Sequence, residues 1–343
     1  MLKWKRIKIN DISFPSHVTY TDHYVDSPYA KQVLKVLTTN ESLVPIKEGV
    51  DRELIAHNEE NLNAGVHINL DNQQLDAPIQ IEFNLNQDNP ILIDRHTIQV
   101  RNGSTATIIF NYSTIDDIEA FHNGVTTVEC DENSSVKIIK LYRFNASSYN
   151  FDSNYSFAGK DSSIEYITID LTEGLSATSY INELVASSAN VVHKEIYFAK
   201  GESRHDHHYK MLHRAPYGNS KIDIRGAMMD QARKVFRGTI DFKKGSGKSK
   251  ASEKEYVLLL NEGLASHAIP ALLCDEDDVE GEHAASAGQI DEGQLFYLMS
   301  RGFSLVDAKR LLVESNFRPI IEALPDEDIR ESVLQSVLEG LTI

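Results

Sequence analysis

A chain of 343 residues with 41% hydrophobic side chains can bury a sizeable core and reads as globular, as one long or two ordinary domains. Its 34 basic and 51 acidic residues leave a formal net charge of −17, which repels phosphate backbones and anionic lipid, so nucleic acid is not an expected partner. The two cysteines, Cys130 and Cys274, stand far apart without a CxxC spacing; any metal would need histidine, carboxylate or a second chain.

In chain order, the opening MLKWKRIKIN has no hydrophobic core followed by a small-residue cleavage site, and no run of eighteen apolar residues follows. The expectation is a cytoplasmic protein without a membrane partner. Residues 1–64 mix short amphipathic patches, such as Tyr29 to Leu37, with polar connectors, and read as a small, partly helical N-terminal lead-in. From 65 to 290 apolar and polar positions alternate, rich in Ile, Val, Thr and Tyr, as in PIQIEFNL (Pro78 to Leu85) and ATIIFNYS (Ala106 to Ser113). Small polar turns recur before the strands, as in NGSTATI, ENSSVKI, KDSSIEYI, SSANVVHKEI and YGNSKIDI, about 26 to 32 residues apart. Strands and turns at a loose fixed period, with no helical pattern between them, predict a mainly β chain of stacked strand layers. A β-helix or solenoid is the first reading and an ordinary two-sheet sandwich the alternative.

The texture changes again over 291–343. Leu295, Phe296, Leu298 and Met299 share a broad apolar face; Ser304 and Asp307 form a capping-box-like start before Leu305, Ala308, Leu311 and Leu312. A third helix is expected to open near Pro325, with Asp326, Glu327 and Asp328 favoured by the helix dipole and an apolar stripe from Ile329 to Leu341. Three short helices predict a cap at minimum, and a docking surface beyond that.

Few residues suggest chemistry by themselves. KKGSGKSKAS (Lys243 to Ser252) ends like a phosphate loop but has Phe242 where the pattern needs glycine, so a flexible basic loop is expected. In RHDHHYKMLH, strand alternation puts His205 and His207 on one face and Asp206 and His208 on the other; two histidines are too few for a metal without help from another rung. A structural or surface role is the plainer reading of that group, which runs to His213. Glu282 and His283 stand at the last strand-to-helix junction, with Cys274 nine residues before His283 and one rung away.

GEHAASAGQIDEGQLFYLMSRG (Gly281 to Gly302), followed by a helix and FRPIIEALPDE, resembles the C-terminal signature of the SufB/SufD family of iron-sulfur cluster assembly proteins. The strong match runs from about Lys200 to Glu327. The resemblance implies a right-handed parallel β-helix and a non-ATPase scaffold, not an enzyme, that pairs through the β-helix with a SufB-like subunit or with itself as a homodimer. It also implies docking of a SufC-like ABC ATPase through the C-terminal helices, for which Leu295, Phe296, Tyr297, Met299, Arg301, Leu305 and Leu312 are the candidates. A transient iron-sulfur cluster would form at the subunit interface, with reduced flavin on the complex as electron source. His283 takes the SufD histidine position, Glu282 matches a carboxylate of the SufB motif, and Cys274 is a further metal candidate. The SufB assembly cysteine falls near Lys254, and the cysteine of some SufD proteins is Gly281 here, so the chain is closest to SufD or to a compact SufB/SufD homologue. Two other readings are an interaction module that stabilises the ATPase complex without touching metal, and a carbohydrate-active enzyme of the β-helix type.

Overall fold

The computed structural model describes residues 12–16, 18–36 and 46–341. The opening MLKWKRIKIN and Leu37, the end of the amphipathic patch, lie outside the described residues. From Ala64 to Gln289 the chain runs as strands of mostly seven to eleven residues that alternate between two sheets, one of nine strands and one of ten. Each strand pairs in parallel with the strand one coil on, two elements away except at the split last coil, where Lys250–Leu259 meets Glu280–Gln289: Tyr149 lies against Leu175 and Arg233 against Ala265, offsets of 26 and 32 residues. Those offsets are one full coil, which is the period heard in the turns. A sandwich would instead pair neighbours antiparallel through hairpins, so the fold is a parallel β-solenoid.

The turn wording has a backbone cause. Asn102, Asn133, Asp161, Ser188, Tyr217 and Lys248 occupy corresponding corners of successive coils, all with φ between 52° and 65°. That left-handed region tolerates Asn and Asp, whose short polar side chains bond locally, and this chemistry produced the repeated small polar turns. Tyr217 keeps the geometry at a cost of about 1 kcal/mol, without the polar signal.

Five helices lie among the described residues: α1 (Ala30–Val33), α2 (Arg52–Asn61), α3 (Glu292–Ser300), α4 (Leu305–Ile321) and α5 (Glu327–Gly340). The lead-in does more than form helices: His23–Asp26 and Leu34–Val36 add antiparallel strands to the N-terminal ends of the two sheets. Asp51 caps α2, accepting from the Glu53 N–H, and Leu54 and Ile55 pack on the outer face of the ten-stranded sheet. The outer face of the nine-stranded sheet is apolar as well, through Ile139, Ile167, Ile196 and Phe198, and it is covered by Val313, Phe317 and Ile320 of α4 and Val333 and Val337 of α5. A sheet covered on both faces loses the alternation of a half-buried strand, and Phe121–Cys130 is accordingly buried at nine of its ten positions.

This arrangement corrects the expectation of a terminal cap. The helices lie along the flank, drawn there by the apolar outer face, and leave the last coil open. Ser304 caps α4 as the sequence suggests, and Asp291 caps α3, accepting from the Gln294 N–H. Pro325, expected in the first turn of α5, precedes the Asp326 cap, whose carboxylate accepts from the Asp328 and Ile329 N–H groups.

Candidate functional site

The open coil is built from Lys250–Leu259 and Glu280–Gln289 in one sheet and the short strands Ala265–Ala268 and Ala271–Cys274 in the other, split at Ile269 and Pro270. Among the described residues Glu280–Gln289 pairs only with Lys250–Leu259, and all ten of its residues are exposed. Its far edge therefore presents a row of unpaired backbone N–H and C=O groups, which folded proteins normally protect.

Side-chain direction follows from packing. A Cβ on Gly281 would come within 2.9 Å of Leu272 and 3.1 Å of Phe242, so position 281 looks between the sheets and leaves no room for a longer side chain there. Strand alternation then puts His283 on the inner side and Glu282 on the outer. Glu282 is indeed paired outside, 3.3 Å from the Lys254 ammonium, the residue standing near the position of the SufB cysteine. His283 is in register with Glu253, directly below it in the coil. From the opposite sheet, Cys274 is in register with the buried Phe242, on the same inner side, and its thiol is free and exposed. Cys130, by contrast, is buried, and burial pushes its thiol up to about 12, which makes it a small apolar residue and not a nucleophile.

The three sequence candidates thus share the open rung, His283 and Cys274 inward and Glu282 outward. Among the described residues they do not bring three ligand atoms within 4.8 Å of one another, so a complete metal site here needs ligands from outside this chain.

Sequence reading missed Glu253. It is buried, one of its oxygens has no hydrogen-bond partner, and its carboxyl group presses against Gly238, where a Cβ would lie 2.1 Å from Oε2. Burial, reinforced by neighbouring Glu255, raises its pKa to about 7. The signal was present in KASEKEYV, where Ala251, Glu253, Glu255 and Val257 share one face. A raised pKa means that the native state binds more protons than the unfolded chain between about 4.5 and 7, so the stability from this group falls as pH rises through that window. Glu253→Gln is expected to flatten the decline and, above pH 7, to stabilise the chain by up to about 3 kcal/mol; urea unfolding at several pH values measures it.

The KKGSGKSKAS stretch is a pinned corner and not a loose basic loop. Lys243 pairs with Asp241 and Asp275, Lys248 pairs with Asp278, and Ser246 and Ser249 are buried. Lys243, Lys248 and Lys250 already have carboxylate partners, which argues against a phosphate site. On the docking side, α3 buries none of its residues: Phe296 is 75% exposed, with Tyr297, Met299, Arg301 and Leu305 also exposed. Leu295 and Leu312 are half-buried, and Leu312 lines a shallow groove with Gly293, Tyr297 and Leu298.

Residues 83–316, more than half of the chain, match the family described as SUF system FeS cluster assembly, SufBD core domain. The chain is similar to the iron-sulfur cluster assembly protein SufD of Bacillus subtilis, with 28% identity over 300 residues, 86% of this chain and 68% of that protein. It is also similar to iron-sulfur cluster assembly SufBD family proteins of Staphylococcus epidermidis and Staphylococcus haemolyticus, each 26% identical over 258 residues. Those matches cover 75% of this chain but only 55% of each staphylococcal protein, so the chain spans a little over half their length.

Proposed function

The chain belongs to the SufBD family of iron-sulfur cluster assembly proteins, and from that membership we propose that it is a non-catalytic scaffold which pairs through its last coil and docks an ABC-type ATPase through α3 and α4. The observation that carries the reading is the ten-residue open edge of Glu280–Gln289, set beside His283 and Cys274. A long unprotected strand edge is a template for another strand. Pairing there with a SufB-like subunit, or with a second copy, would bring a partner's side chains against the half-site of His283, Cys274 and Glu282. Imidazole, thiolate and carboxylate all ligate iron, and a ligand set split between subunits lets a transient cluster form and leave when the pair shifts. ATP chemistry belongs to the partner in this reading, and reduced flavin on the complex would supply electrons. No helix among the described residues is long and apolar enough to cross a membrane.

Light scattering on a gel-filtration column, after co-expression with a SufC-like ATPase, tests the assembly. Two ATPases with two copies of this chain support a homodimeric scaffold. A requirement for a SufB-like subunit makes it one half of a heterodimer, and no bound ATPase sinks the docking reading. His283→Ala is expected to leave the complex mass unchanged and to lower cluster formation, followed by visible absorption, at least tenfold. Undiminished cluster formation would reduce the chain to an interaction module that never touches metal.

A further inference from the structure

A second group of potential ligands lies deep inside the solenoid. Asp170 and Glu195 of the nine-stranded sheet face His205 and His207 of the ten-stranded sheet, and all four are buried. Ligand atoms of Asp170, His205 and His207 lie within 4.8 Å of one another. The help from another rung that the two histidines lacked in the sequence comes across the interior from Asp170.

The hydrogen bonds fix where lone pairs point. His205 Nε2 is 2.9 Å from the Thr172 carbonyl oxygen, which can only accept, so Nε2 carries a proton and Nδ1 is the ring nitrogen that can offer a lone pair to a cation. That Nδ1 makes no hydrogen bond and stands 3.5 Å from Asp170 Oδ2. Asp170 is itself held as an acceptor, Oδ2 by the Ser176 hydroxyl at 2.6 Å and Oδ1 by the Thr172 N–H at 3.1 Å. An imidazole nitrogen and a carboxylate oxygen therefore face each other without a hydrogen bond between them. His207 Nε2 and both Glu195 oxygens also make no hydrogen bond, while His207 Nδ1 is hydrogen-bonded to Thr178 Oγ1 at 3.1 Å and stands 3.2 Å from Glu195 Oε1. Burial keeps the His207 ring neutral. Lys234, the cation nearest this group, is already paired with Glu255. Buried polar atoms are ordinarily satisfied, and the unpartnered His205 Nδ1 and His207 Nε2 beside the Asp170 carboxylate leave a place for a cation.

We propose that Asp170, His205 and His207 form an interior site for one divalent first-row transition ion, with the adjacent Glu195 balancing its charge. Two imidazoles and a carboxylate without thiolate suit Zn²⁺ or Fe²⁺ and disfavour Mg²⁺ and Ca²⁺. The Nε2–H of His205 on a backbone carbonyl is the outer bond that commonly orients a ligating histidine. The site is independent of the open coil, and an ion held there would pin the two sheets together instead of being passed on.

Elemental analysis of the full chain purified without chelator is expected to find about one zinc or iron per chain. Chain refolded with Co²⁺ is expected to show the ligand-field bands of a nitrogen and oxygen site. Both signals should survive the double substitution His283→Ala, Cys274→Ser, which empties the open coil of its inward ligands. His205→Gln should abolish them. Asp170→Asn, whose amide oxygen can still accept from the Thr172 N–H while its NH2 donates to the Ser176 hydroxyl, keeps the test open if the first variant folds poorly, and should weaken Zn²⁺ binding at least tenfold in competition with a chromophoric chelator. Metal-free chain on purification together with no Co²⁺ bands on refolding, or bands lost with His283 and Cys274 but kept in Asp170→Asn, would overturn the proposal.

Discussion

Lys140→Ala is expected to destabilise the chain by about 3–5 kcal/mol, enough to leave much of it unfolded at 37 °C. The Lys140 ammonium is buried between the sheets, 2.7 Å from Asp152 Oδ2 and 2.8 Å from Thr126 Oγ1. Tyr142 and Asn154 also donate to Asp152 Oδ2. Taking the cation away would leave the Asp152 carboxylate in a water-free interior with only neutral donors, and its Oδ1 already has no partner. Removing one member of a buried pair costs more than removing both, because desolvation of the survivor is no longer offset. Lys140→Met with Asp152→Asn should therefore recover most of the loss. Urea unfolding of Lys140→Met, of Asp152→Asn and of the double variant gives the coupling directly. Additive losses would mean that water reaches the pair and that the interior is less dry than its burial indicates.

Phe296→Asp with Tyr297→Asp is expected to weaken binding of the proposed ATPase at least 100-fold, or about 2.7 kcal/mol, while leaving chain stability unchanged within about 0.5 kcal/mol. Both rings stand largely exposed on α3, so the folded chain loses little with them beyond the stacking of Arg301 on Tyr297 and that ring's share of the shallow groove beside Leu312. Aromatic residues on such a face carry a disproportionate share of an interface's energy, and two carboxylates in their place must be desolvated on contact. Isothermal titration, with thermal unfolding of the free chain as control, separates binding from folding. Wild-type affinity in the double variant would remove α3 from the docking surface.

The coil period and the αL corners were legible because a solenoid repeats the same backbone problem every turn, and Asn133 and Asp161 answer it with the same chemistry. The C-terminal helices were legible from Ser304 and their apolar stripes, since caps and periodicity are local. The buried Lys140 and Asp152 were not, because nothing local distinguishes a charge that faces inward from one in water. The motif around Glu282 and His283 marked the family, while the open edge and the placing of His283 above Glu253 emerged only from the register with Lys250–Leu259.

The sequence by itself determined the β-rich class, the coil length, the helix starts and the family, all carried by short-range patterns that any local segment must satisfy. Tertiary structure alone decided that the helices lie along the flank, that Glu253 sits beneath His283, and that Asp170 meets His205 and His207. Each of these joins residues 30 or more positions apart. Where such residues meet depends on how the coils stack and which sheet faces are apolar, which is a property of the whole chain and not of any window within it.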